Sequence, residues 1–549
     1  MRFTEWFKSG APWVWLSAGA VAASLFAVVS LLLLLIYQGS ALFWPRPVLD
    51  VQSPSENVRL IGEQRQSEVV PAERLRSLGQ KVPPGQEMVE RRLLRVGNRD
   101  LLGSDFRWVL ADDLAKAVYP ADLAVFERRE WGNFYGYPRQ VKENGEIKAQ
   151  GDALWVELEQ RLARVAELYQ QIRTIEKDDI GAVNYGLEKL RLESRKLELA
   201  QDDDPLKQQD IQARRRALQS QYEGMQQRLN DLYQQIRRDS VAMETSSGGL
   251  VDVPLSKVVR AYRPNAMSLL DKLGFYLGKI WEFVSDEPRE ANTEGGIFPA
   301  IFGTVMMVFI MTIMITPFGV VAAVYLREYA KQGFLTRLIR IAVNNLAGVP
   351  SIVYGVFGLG FFVYFLGGSI DALFYPEALP APTYGTPGLL WASLTLAILT
   401  VPVVIVSTEE GLTRIPRMIR EGSLALGATK AETLWRTVLP MASPAIMTGL
   451  ILAIARAAGE VAPLMLVGVV KLAPTLPLDA NAPFLHLDRK FMHLGFHIYD
   501  VGFQSPNVEA ARPLVYATAL LLVLVILVLN LVAIAIRNRL RERYRAEES

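Results

Sequence analysis

Six long apolar runs, separated by polar stretches, are the strongest pattern in the chain, and they predict membrane-spanning helices. Crossing about 30 Å of hydrocarbon takes roughly 20 helical residues, because each backbone polar group must be satisfied inside its own segment. All the runs except the fifth lack Asp, Glu, Lys and Arg. The predicted spans are Ala11–Tyr37, Ile297–Leu326, Ile341–Ile370, Gly388–Thr408, Ala445–Val470 and Pro513–Ile536.

Lys and Arg cluster at the ends of alternate runs and indicate the orientation of the spans. Loops rich in these residues face the cytoplasm, whereas the loop 371–387 has none. The first run is longer than a signal-peptide core, so we expect a retained anchor. Both termini are predicted to be cytoplasmic and residues 41–296 extracytoplasmic. The charges are Arg2, Lys8, Arg327, Lys331, Arg337, Arg340, Arg414, Arg417, Arg420, Lys430, Arg436, Arg537, Arg539, Arg541, Arg543 and Arg545.

The polar stretch between the first two spans predicts a large insertion with two parts. Residues 41–153 mix short alternating runs with turn residues, a pattern compatible with a small module of α+β type. In residues 154–272 apolar side chains recur at spacings of four and three, as in coiled-coil-like helices. Asp202-Asp203-Asp204-Pro205 interrupts this pattern and predicts a helical hairpin. The hairpin is interpreted either as a structural stalk or as a docking surface for a binding protein or partner subunit.

The fifth run carries two charges, Arg456 and Glu460, which are costly at membrane depth. They lie four residues apart, so a helix would place them on one face, where the carboxylate can neutralise the guanidinium. One interpretation is an internal ion pair. The other is a pathway for an anion, because a guanidinium fork matches phosphate oxygens. Ser351, beside Pro350, is a further candidate for lining such a pathway.

Composition supports the membrane class and narrows the chemistry. Half of the residues are hydrophobic, 21% are charged, and the mean hydropathy is +0.17. A net charge of +2 gives no reason to expect a nucleic-acid partner. The chain has no cysteine, and its three histidines, His486, His493 and His497, are assigned no metal site. It also lacks a Gly-x-x-x-x-Gly-Lys-Ser/Thr sequence, so ATP hydrolysis is expected on another chain.

The loop after the fourth run, Glu421–Lys430 with the sequence EGSLALGATK, followed by Leu439-Pro440, resembles the EAA loop of ABC importer permeases. In that family the loop forms a coupling helix that sits in a groove of the ATPase. Here Ile415–Leu426 can form a short amphipathic helix, Gly427 permits a sharp turn, and a second helix can run on into the next span. Gly422 and Ser423 stand where two alanines are usual, which weakens the start of the helix, and Thr437 stands where isoleucine is usual. The resemblance implies that the coupling residues are Glu421, Gly422, Ser423, Ala425, Leu426, Gly427, Ala428, Thr429 and Lys430.

Further signatures resemble the phosphate-permease, or PstA, branch of these importers. They cover the first span and about Leu273 to the C-terminus, and leave the insertion outside the resemblance. The signatures are Gly295-Gly296-Ile297, Gly303-Thr304, Tyr325–Tyr329, Asn345–Gly355 and Ala455–Leu464, in which Val461 replaces the usual threonine.

The resemblance implies an all-α polytopic protein with six transmembrane helices and the type I ABC importer permease fold. Residues 1–40 would hold the N-terminus and first helix, and residues 273–549 the permease core with its EAA loop at 410–440. The implied location is a bacterial inner membrane, with the insertion in the periplasm. The implied partners are a PstC-like permease, a PstB-like ATPase dimer that uses ATP and Mg²⁺, an extracytoplasmic phosphate-binding protein and membrane lipid. No cofactor is expected on this chain.

Two alternatives to a phosphate permease remain open at this point. An importer permease for another oxyanion or small solute would share the EAA loop. A membrane-anchored sensor or scaffold with a coiled-coil domain would bind no ATPase and would need neither a charge at membrane depth nor a lever-like loop.

Overall fold

Helices dominate the fold, which we describe from a computed structural model for residues 9–54, 58–77, 87–505 and 508–545. Within these residues, six helices are long and apolar enough to cross a membrane, as predicted. The helices are α1 (Ala11–Ser40), α2 (Ala72–Ser77), α3 (Arg99–Leu102), α4 (Leu154–Thr174), α5 (Ile180–Leu199), α6 (Pro205–Arg237), α7 (Leu269–Ser285), α8 (Phe298–Val324), α9 (Phe334–Leu346), α10 (Ser351–Phe357), α11 (Gly368–Phe374), α12 (Leu389–Arg414), α13 (Arg417–Ala425), α14 (Lys430–Thr433), α15 (Leu439–Gly459), α16 (Leu464–Val467), α17 (Leu494–Tyr499) and α18 (Val508–Arg545).

Strands occur only between α1 and α8 in the described part of the chain. They are β1 (Val48–Ser53), β2 (Val58–Pro71), β3 (Met88–Arg95), β4 (Phe106–Leu110), β5 (Ala124–Arg128), β6 (Asn133–Glu143), β7 (Glu146–Gln150), β8 (Asp239–Glu244), β9 (Leu250–Pro254), β10 (Val258–Tyr262), β11 (Pro288–Arg289) and β12 (Glu294–Gly295).

The chain forms two compact units. The membrane unit contains the residues up to Leu42, Ile297–Tyr375 and the residues from Leu379 onward. The inserted unit contains Phe43–Gly296 and the short turn Pro376–Ala378. All six candidate spans therefore belong to the membrane unit.

Helix α12 is the most buried span of the membrane unit, and small residues let its neighbours approach closely. A Cβ added at Gly319 of α8 would lie 2.6 Å from Val404 Cγ1, and one added at Gly449 of α15 would lie 2.7 Å from Ser407 Cβ. A Cβ at either position would overlap the neighbouring helix and force the two backbones apart, so these contacts require glycine. The core of the unit is thus built by three helices that meet at glycine contacts.

The predicted bounds of two spans are wrong because hydropathy does not register breaks in an apolar run. The prediction Ile341–Ile370 starts too early: residues up to Leu346 form the separate amphipathic helix α9, and the third span begins at Ser351, after Pro350. Proline disfavours a helical conformation in the residue before it, so the chain turns there. The fifth predicted span, Ala445–Val470, is instead a helix from Lys430 to Gly459.

The segment between the fifth and sixth spans folds back onto the membrane unit, and this packing explains one sequence signature. A Cβ at Gly303 would lie 2.1 Å from the carbonyl oxygen of Met492, so no larger residue fits there. The neighbouring Thr304 Oγ1 accepts a hydrogen bond of 2.9 Å from the Leu494 backbone N–H. Gly303-Thr304 therefore marks a close contact between α8 and this segment.

The inserted unit contains two main antiparallel sheets. The first has the order β1-β2-β3-β4, and the second has the order β10-β5-β6-β8-β9, with β7 paired to β6. The strand content is larger than the predicted small module. It also extends beyond residue 153, because β8, β9 and β10 follow the helical hairpin and complete the second sheet. The predicted helical region 154–272 is therefore wrong at its C-terminal end, and the hairpin itself ends at Arg237.

The hairpin consists of α4 and α5, which are joined through a π-helical turn at Ile175–Asp179, and of α6, which runs back. Asp204 caps α6 by accepting a hydrogen bond of 2.9 Å from the Leu206 N–H. The apolar stripe that includes Leu158 and Val165 packs on Phe134 and other buried residues of the second sheet. The periodic residues of α4 thus pack on the second sheet and also on Leu232 and Ile236 of α6. Periodicity alone does not distinguish such a mixed core from a helix-on-helix seam.

Glu282 anchors α7 to the inserted unit through three cations. Its carboxylate lies 3.0 Å from Lys279 Nζ, 3.0 Å from a guanidinium nitrogen of Arg289 and 3.2 Å from one of Arg260. Burial alone would raise the pKa of Glu282, but the three surrounding cations outweigh this effect and lower that pKa to about 2. The ionised carboxylate therefore stabilises the folded state above pH 4.5, and this contribution is lost as the pH falls towards 2.

We predict that Glu282→Gln lowers the thermal unfolding midpoint of the inserted unit at pH 7. A depression of the pKa from 4.5 to about 2 corresponds to about 3 kcal/mol. The measurement is circular dichroism of the purified full chain, with the exposed Glu223→Gln as control. The difference from the unsubstituted chain should shrink as the pH falls below 4.5. An equal difference at pH 7 and pH 3 would contradict the assigned role.

Candidate functional site

The loop after the fourth span forms a short exposed helix followed by a sharp turn. Helix α13 begins after Pro416, and Leu426 lies at its C-terminal cap. Gly427 has a φ of +90°, a conformation that favours glycine, and it reverses the chain towards α14. No side chain of α13 is buried. The sequence predicted this arrangement of helix, glycine turn and second helix.

Arg420 fastens α13 to the ends of two spans. Its guanidinium donates hydrogen bonds of 2.6 Å to the Leu412 carbonyl and 3.2 Å to the Ile415 carbonyl. It also forms an ion pair of 3.1 Å with Glu328, in the π-helical turn Tyr325–Tyr329 that follows α8. The carbonyl oxygens at a helix end have no partner within the helix, so a guanidinium there satisfies them and favours the helix dipole. This side chain was not among the predicted site residues.

The second arm of the loop is fastened to the same turn. Lys430 Nζ donates a hydrogen bond to the Glu328 carbonyl and lies 4.5 Å from the centre of the Tyr329 ring. Thr429 and Glu432 form a reciprocal capping box at the start of α14. Both arms therefore contact the turn after α8, which accounts for the signature at Tyr325–Tyr329.

Ser423 has a structural reason to depart from the usual alanine. Its hydroxyl lies 2.9 Å from the Thr433 hydroxyl, so one hydrogen bond joins α13 to α14 across the glycine turn. Ser423 thus ties the two arms of the loop to each other, and the exposed Lys430 ties the second arm to the turn after α8. Sequence analysis missed the role of Ser423 because the partner, Thr433, lies ten residues away.

The outward side of the loop presents a compact surface with one carboxylate. We call it the lever surface; it comprises Met418, Glu421, Gly422, Leu424, Ala425, Leu426 and Gly427, all exposed. Leu426 is 91% exposed and Met418 is 81% exposed, which is unusual for large apolar residues on a rigid element. Ala428 and Thr429 complete the predicted set at its edge. Exposed apolar side chains beside a charge are typical of a site that receives a partner.

Arg456 and Glu460 lie together at the end of the helix that starts from this loop. Arg456 Nε is 3.6 Å from Glu460 Oε1, and their side chains are 34% and 21% exposed. Helix α15 ends at Gly459, and Glu460 has an extended backbone. The prediction that the two residues share one helix face is therefore wrong. Glu460 instead follows the helix end, where its carboxylate still reaches the guanidinium.

The packing against α12 fixes the depth of this pair. Ala445 of α15 lies against Gly411 of α12, and Gly449, four residues further along α15, lies against Ser407, four residues earlier in α12. The two helices therefore run antiparallel. The same register places Arg456 level with Thr400, near the middle of α12. The charge is therefore at mid-span, where an unpaired cation would be costly.

The segment that contains Ser351 lies beside the helix break. A Cβ at Gly355 would be 2.7 Å from the Cα of Pro463, so α10 packs directly on the residues that follow Glu460. Tyr354 lies within electrostatic range of Arg456 and donates a hydrogen bond of 2.7 Å to the Leu346 carbonyl. Ser351 is the first residue of α10, three residues before Tyr354, and is half-buried. The two signature segments thus pack against each other.

A second charged feature is a cleft of about 500 Å³ between the ends of α8, α9 and α12. Its lining includes Arg327, Arg340 and Arg414 together with Glu409 and Glu410. Arg340 forms an ion pair of 3.3 Å with Glu409. Because its charges are mixed, the cleft has no single preference for anions or cations.

The histidines fulfil structural roles. His486 Nε2 lies 3.0 Å from Asp479, a carboxylate partner that sequence analysis did not foresee. His493 caps α17, its Nδ1 accepting a hydrogen bond of 3.1 Å from the Gly495 N–H. Within the described ranges, no group of three or more His, Cys, Asp or Glu side chains is arranged to hold a metal ion.

Comparison with known proteins gives a consistent result for the membrane unit. Residues 315–546 match the family described as "Binding-protein-dependent transport system inner membrane component". The chain is 32% identical over 189 residues to the "Probable phosphate transport system permease protein PstA" of Methanocaldococcus jannaschii, covering 34% of this chain and 60% of that protein. It is 36% identical over 206 residues to PstA of Mycobacterium leprae, covering 37% and 62%. It is 30% identical over 237 residues to the "Probable ABC transporter permease protein YqgI" of Bacillus subtilis, covering 42% and 74%. The chain thus spans about three fifths of the length of the two PstA relatives.

We predict that Arg420→Met loosens α13 without unfolding the spans. The variant loses two hydrogen bonds to carbonyls and an ion pair, and a net loss of about 1.4 kcal/mol would speed amide exchange about tenfold. Hydrogen–deuterium exchange of residues 417–427 measures this effect. Arg417→Met, at an exposed position of the same helix, should exchange as the unsubstituted chain does. Unchanged exchange in Arg420→Met would show that the guanidinium does not hold the loop.

Proposed function

Since this chain belongs to the ABC transporter permeases, the inner membrane components of binding-protein-dependent transport systems, in their PstA-like branch, we propose that it is a translocating subunit of an ATP-driven phosphate importer. The relatives named PstA support phosphate as the substrate. The single observation that carries the proposal is a guanidinium at mid-span whose carboxylate partner is only loosely engaged.

The geometry of Arg456 suits a transient site for an oxyanion. Its contact to Glu460 is 3.6 Å, longer than a charge-assisted hydrogen bond, and both side chains keep part of their surface open. Gly459 has open space where a side chain would otherwise lie. A phosphate could therefore accept hydrogen bonds from the guanidinium while Glu460 limits its affinity. Ser351, in the adjoining segment, would contribute a hydroxyl to the same pathway.

The lever surface is the proposed docking site for the ATPase. Glu421, Gly422, Ala425, Leu426, Gly427, Ala428 and Thr429 would meet the partner, and Ser423 and Lys430 would keep the loop rigid. ATP and Mg²⁺ would be bound by the ATPase, and closure of its two subunits would push on α13. The capping box and the ties of Arg420 and Lys430 to the turn after α8 would pass this movement to the spans.

The remaining subunits and the location follow from the same proposal. A PstC-like permease would complete the pathway, a PstB-like ATPase dimer would drive it, and an extracytoplasmic phosphate-binding protein would deliver the substrate. The membrane would be a bacterial inner membrane, with both termini in the cytoplasm and the inserted unit in the periplasm. The positions Arg2 and Lys8, which support this orientation, lie outside the described residues. Of the other charges, Lys331, Arg337 and Arg340 lie between the second and third spans, and Arg417 and Arg420 lie between the fourth and fifth, which supports the same orientation.

We predict ATP-dependent uptake of radiolabelled phosphate by vesicles that contain this chain, the second permease, the ATPase and the binding protein. An ATPase-dead partner should abolish uptake, because the chain has no nucleotide site of its own. Excess unlabelled phosphate should compete, whereas sulfate and molybdate should not. If ATP is hydrolysed but another oxyanion is taken up in place of phosphate, the chain is an importer permease for that solute. If the ATPase does not bind, the importer assignment is wrong.

We also predict that Glu421→Arg separates binding of the ATPase from folding of the chain. Glu421 is exposed, so the substitution should leave the thermal midpoint unchanged while it reverses the charge of the lever surface. Loss of one well-placed charge contact at an interface costs about 2 kcal/mol or more, a weakening of at least tenfold. Pull-down of the ATPase by the purified chain measures this change. Glu542→Arg, another exposed glutamate, serves as control. Equal ATPase binding by both variants would remove α13 from the docking site.

A further inference from the structure

Helix α7 of the inserted unit exposes a continuous apolar face. Leu270, Leu273, Leu277 and Trp281 recur every three or four residues and therefore form one stripe along the helix. Leu270 is 80% exposed and Trp281 is 72% exposed. Gly274 and Gly278 lie within the same stripe, and nothing stands within 4 Å of a Cβ added at either. The face is therefore uncovered by the rest of the described residues.

The opposite face of α7 is firmly held by the inserted unit. Lys279, one of the cations beside Glu282, also donates a hydrogen bond of 2.6 Å from its Nζ to Glu127. The Phe275 ring packs on Tyr262 of β10, with ring centres 4.6 Å apart. Lys279 and Glu282 thus make their contacts on the inner face, and Asp271 bonds to Ser268 at the N-terminal cap. The outer stripe itself carries no charge.

The chain that leaves the first span is attached to α7. Phe43 packs on Phe283 with ring centres 5.1 Å apart, and Trp44 packs on Tyr276 at 5.8 Å. Helix α1 ends at Ser40, and three peptide units connect it to Phe43. Since consecutive Cα atoms are 3.8 Å apart, Phe43 lies at most about 11 Å from the end of that helix. The covalent chain therefore keeps α7 near the point where the first span leaves the membrane.

The chain that enters the second span is also attached to α7. Gly296 approaches the residues at the end of the helix so closely that an added Cβ would lie 2.3 Å from the Asp286 carbonyl oxygen. Its N–H donates a hydrogen bond of 3.1 Å to the Glu287 carbonyl. Phe298, the first residue of α8, follows two residues later, which is at most about 8 Å of chain. Two membrane-spanning helices are therefore tethered within a short distance of the C-terminal end of α7.

We propose that α7 is an interfacial helix whose apolar stripe lies in the headgroup region of the lipid bilayer. The occupant of the face is lipid, because the two tethers hold the helix at the membrane surface and the stripe is apolar and uncharged. Trp281 and Trp44 suit this depth, since tryptophan concentrates at the interface between hydrocarbon and water. The stripe has no Lys or Arg, so the contact should not depend on anionic lipids. The inserted unit then contacts the bilayer through α7.

The test uses the absence of native cysteines, which allows single labels. Leu277→Cys is labelled with an environment-sensitive fluorophore, and the full chain is reconstituted in phosphatidylcholine vesicles that carry a nitroxide lipid. We expect a blue-shifted emission that the nitroxide lipid quenches and aqueous iodide does not. Leu250→Cys, at an exposed leucine of β9, is the matched control and should respond in the opposite way. Adding anionic lipid should change neither result.

Two outcomes would overturn the proposal. One is a label at position 277 that iodide quenches and the nitroxide lipid does not, which would place the face in water. The other is a label shielded from both quenchers only after the partner permease is added, which would assign the face to a protein. Gly278→Leu further distinguishes a lipid contact from a partner helix. If lipid covers the face, the label at position 277 should still be quenched by the nitroxide lipid in this variant. A partner helix packed on Gly274 and Gly278 would instead be displaced by the larger side chain.

Discussion

A guanidinium at mid-span is the constraint on which the membrane unit depends. Arg456 lies level with Thr400, at the centre of the buried helix α12, and a cation at that depth must have a counter-charge and a polar opening. The helix break after Gly459 supplies both, because it frees Glu460 from the helix and leaves open space beside it. The contact of Gly355 with Pro463 then holds the break in place. The small and apolar residues around this point thus accommodate a charged side chain within an otherwise apolar fold.

The same helix connects that charge to the exposed loop. Residues Lys430–Gly459 form one helical stretch, about 45 Å long at 1.5 Å per residue. Its first turn is capped by Thr429 and tied to the turn after α8, and its last turn carries Arg456. In the proposed coupling, a displacement of α13 would reach the charged pair through this hydrogen-bonded backbone. The π-helical turn at Leu434–Val438 is the place where this stretch departs from regular α-helix.

Sequence analysis was most successful where one physical rule dominates. Apolar length identified the six spans, and Gly427 identified the reversal after α13, since a positive φ favours glycine. It failed where the deciding contact is distant in sequence. The link between Ser423 and Thr433, the clamp of Arg420 on Glu328 and the close approach of Gly303 to Met492 leave no periodic signal. The strands β8–β10 were missed for a similar reason, because β6 and β5, the partners of β8 and β10, lie about a hundred residues or more before them in the sequence.

The most direct test of the central claim compares Arg456→Gln with Arg456→Lys in vesicles that contain the complete importer. Both substitutions keep the size of the side chain roughly constant, and only lysine keeps its charge. If Arg456 attracts the anion, Arg456→Gln should assemble and hydrolyse ATP but lose phosphate uptake, and Arg456→Lys should retain part of it. Uptake by Arg456→Gln equal to that of the unsubstituted chain would show that the pair with Glu460 is only structural.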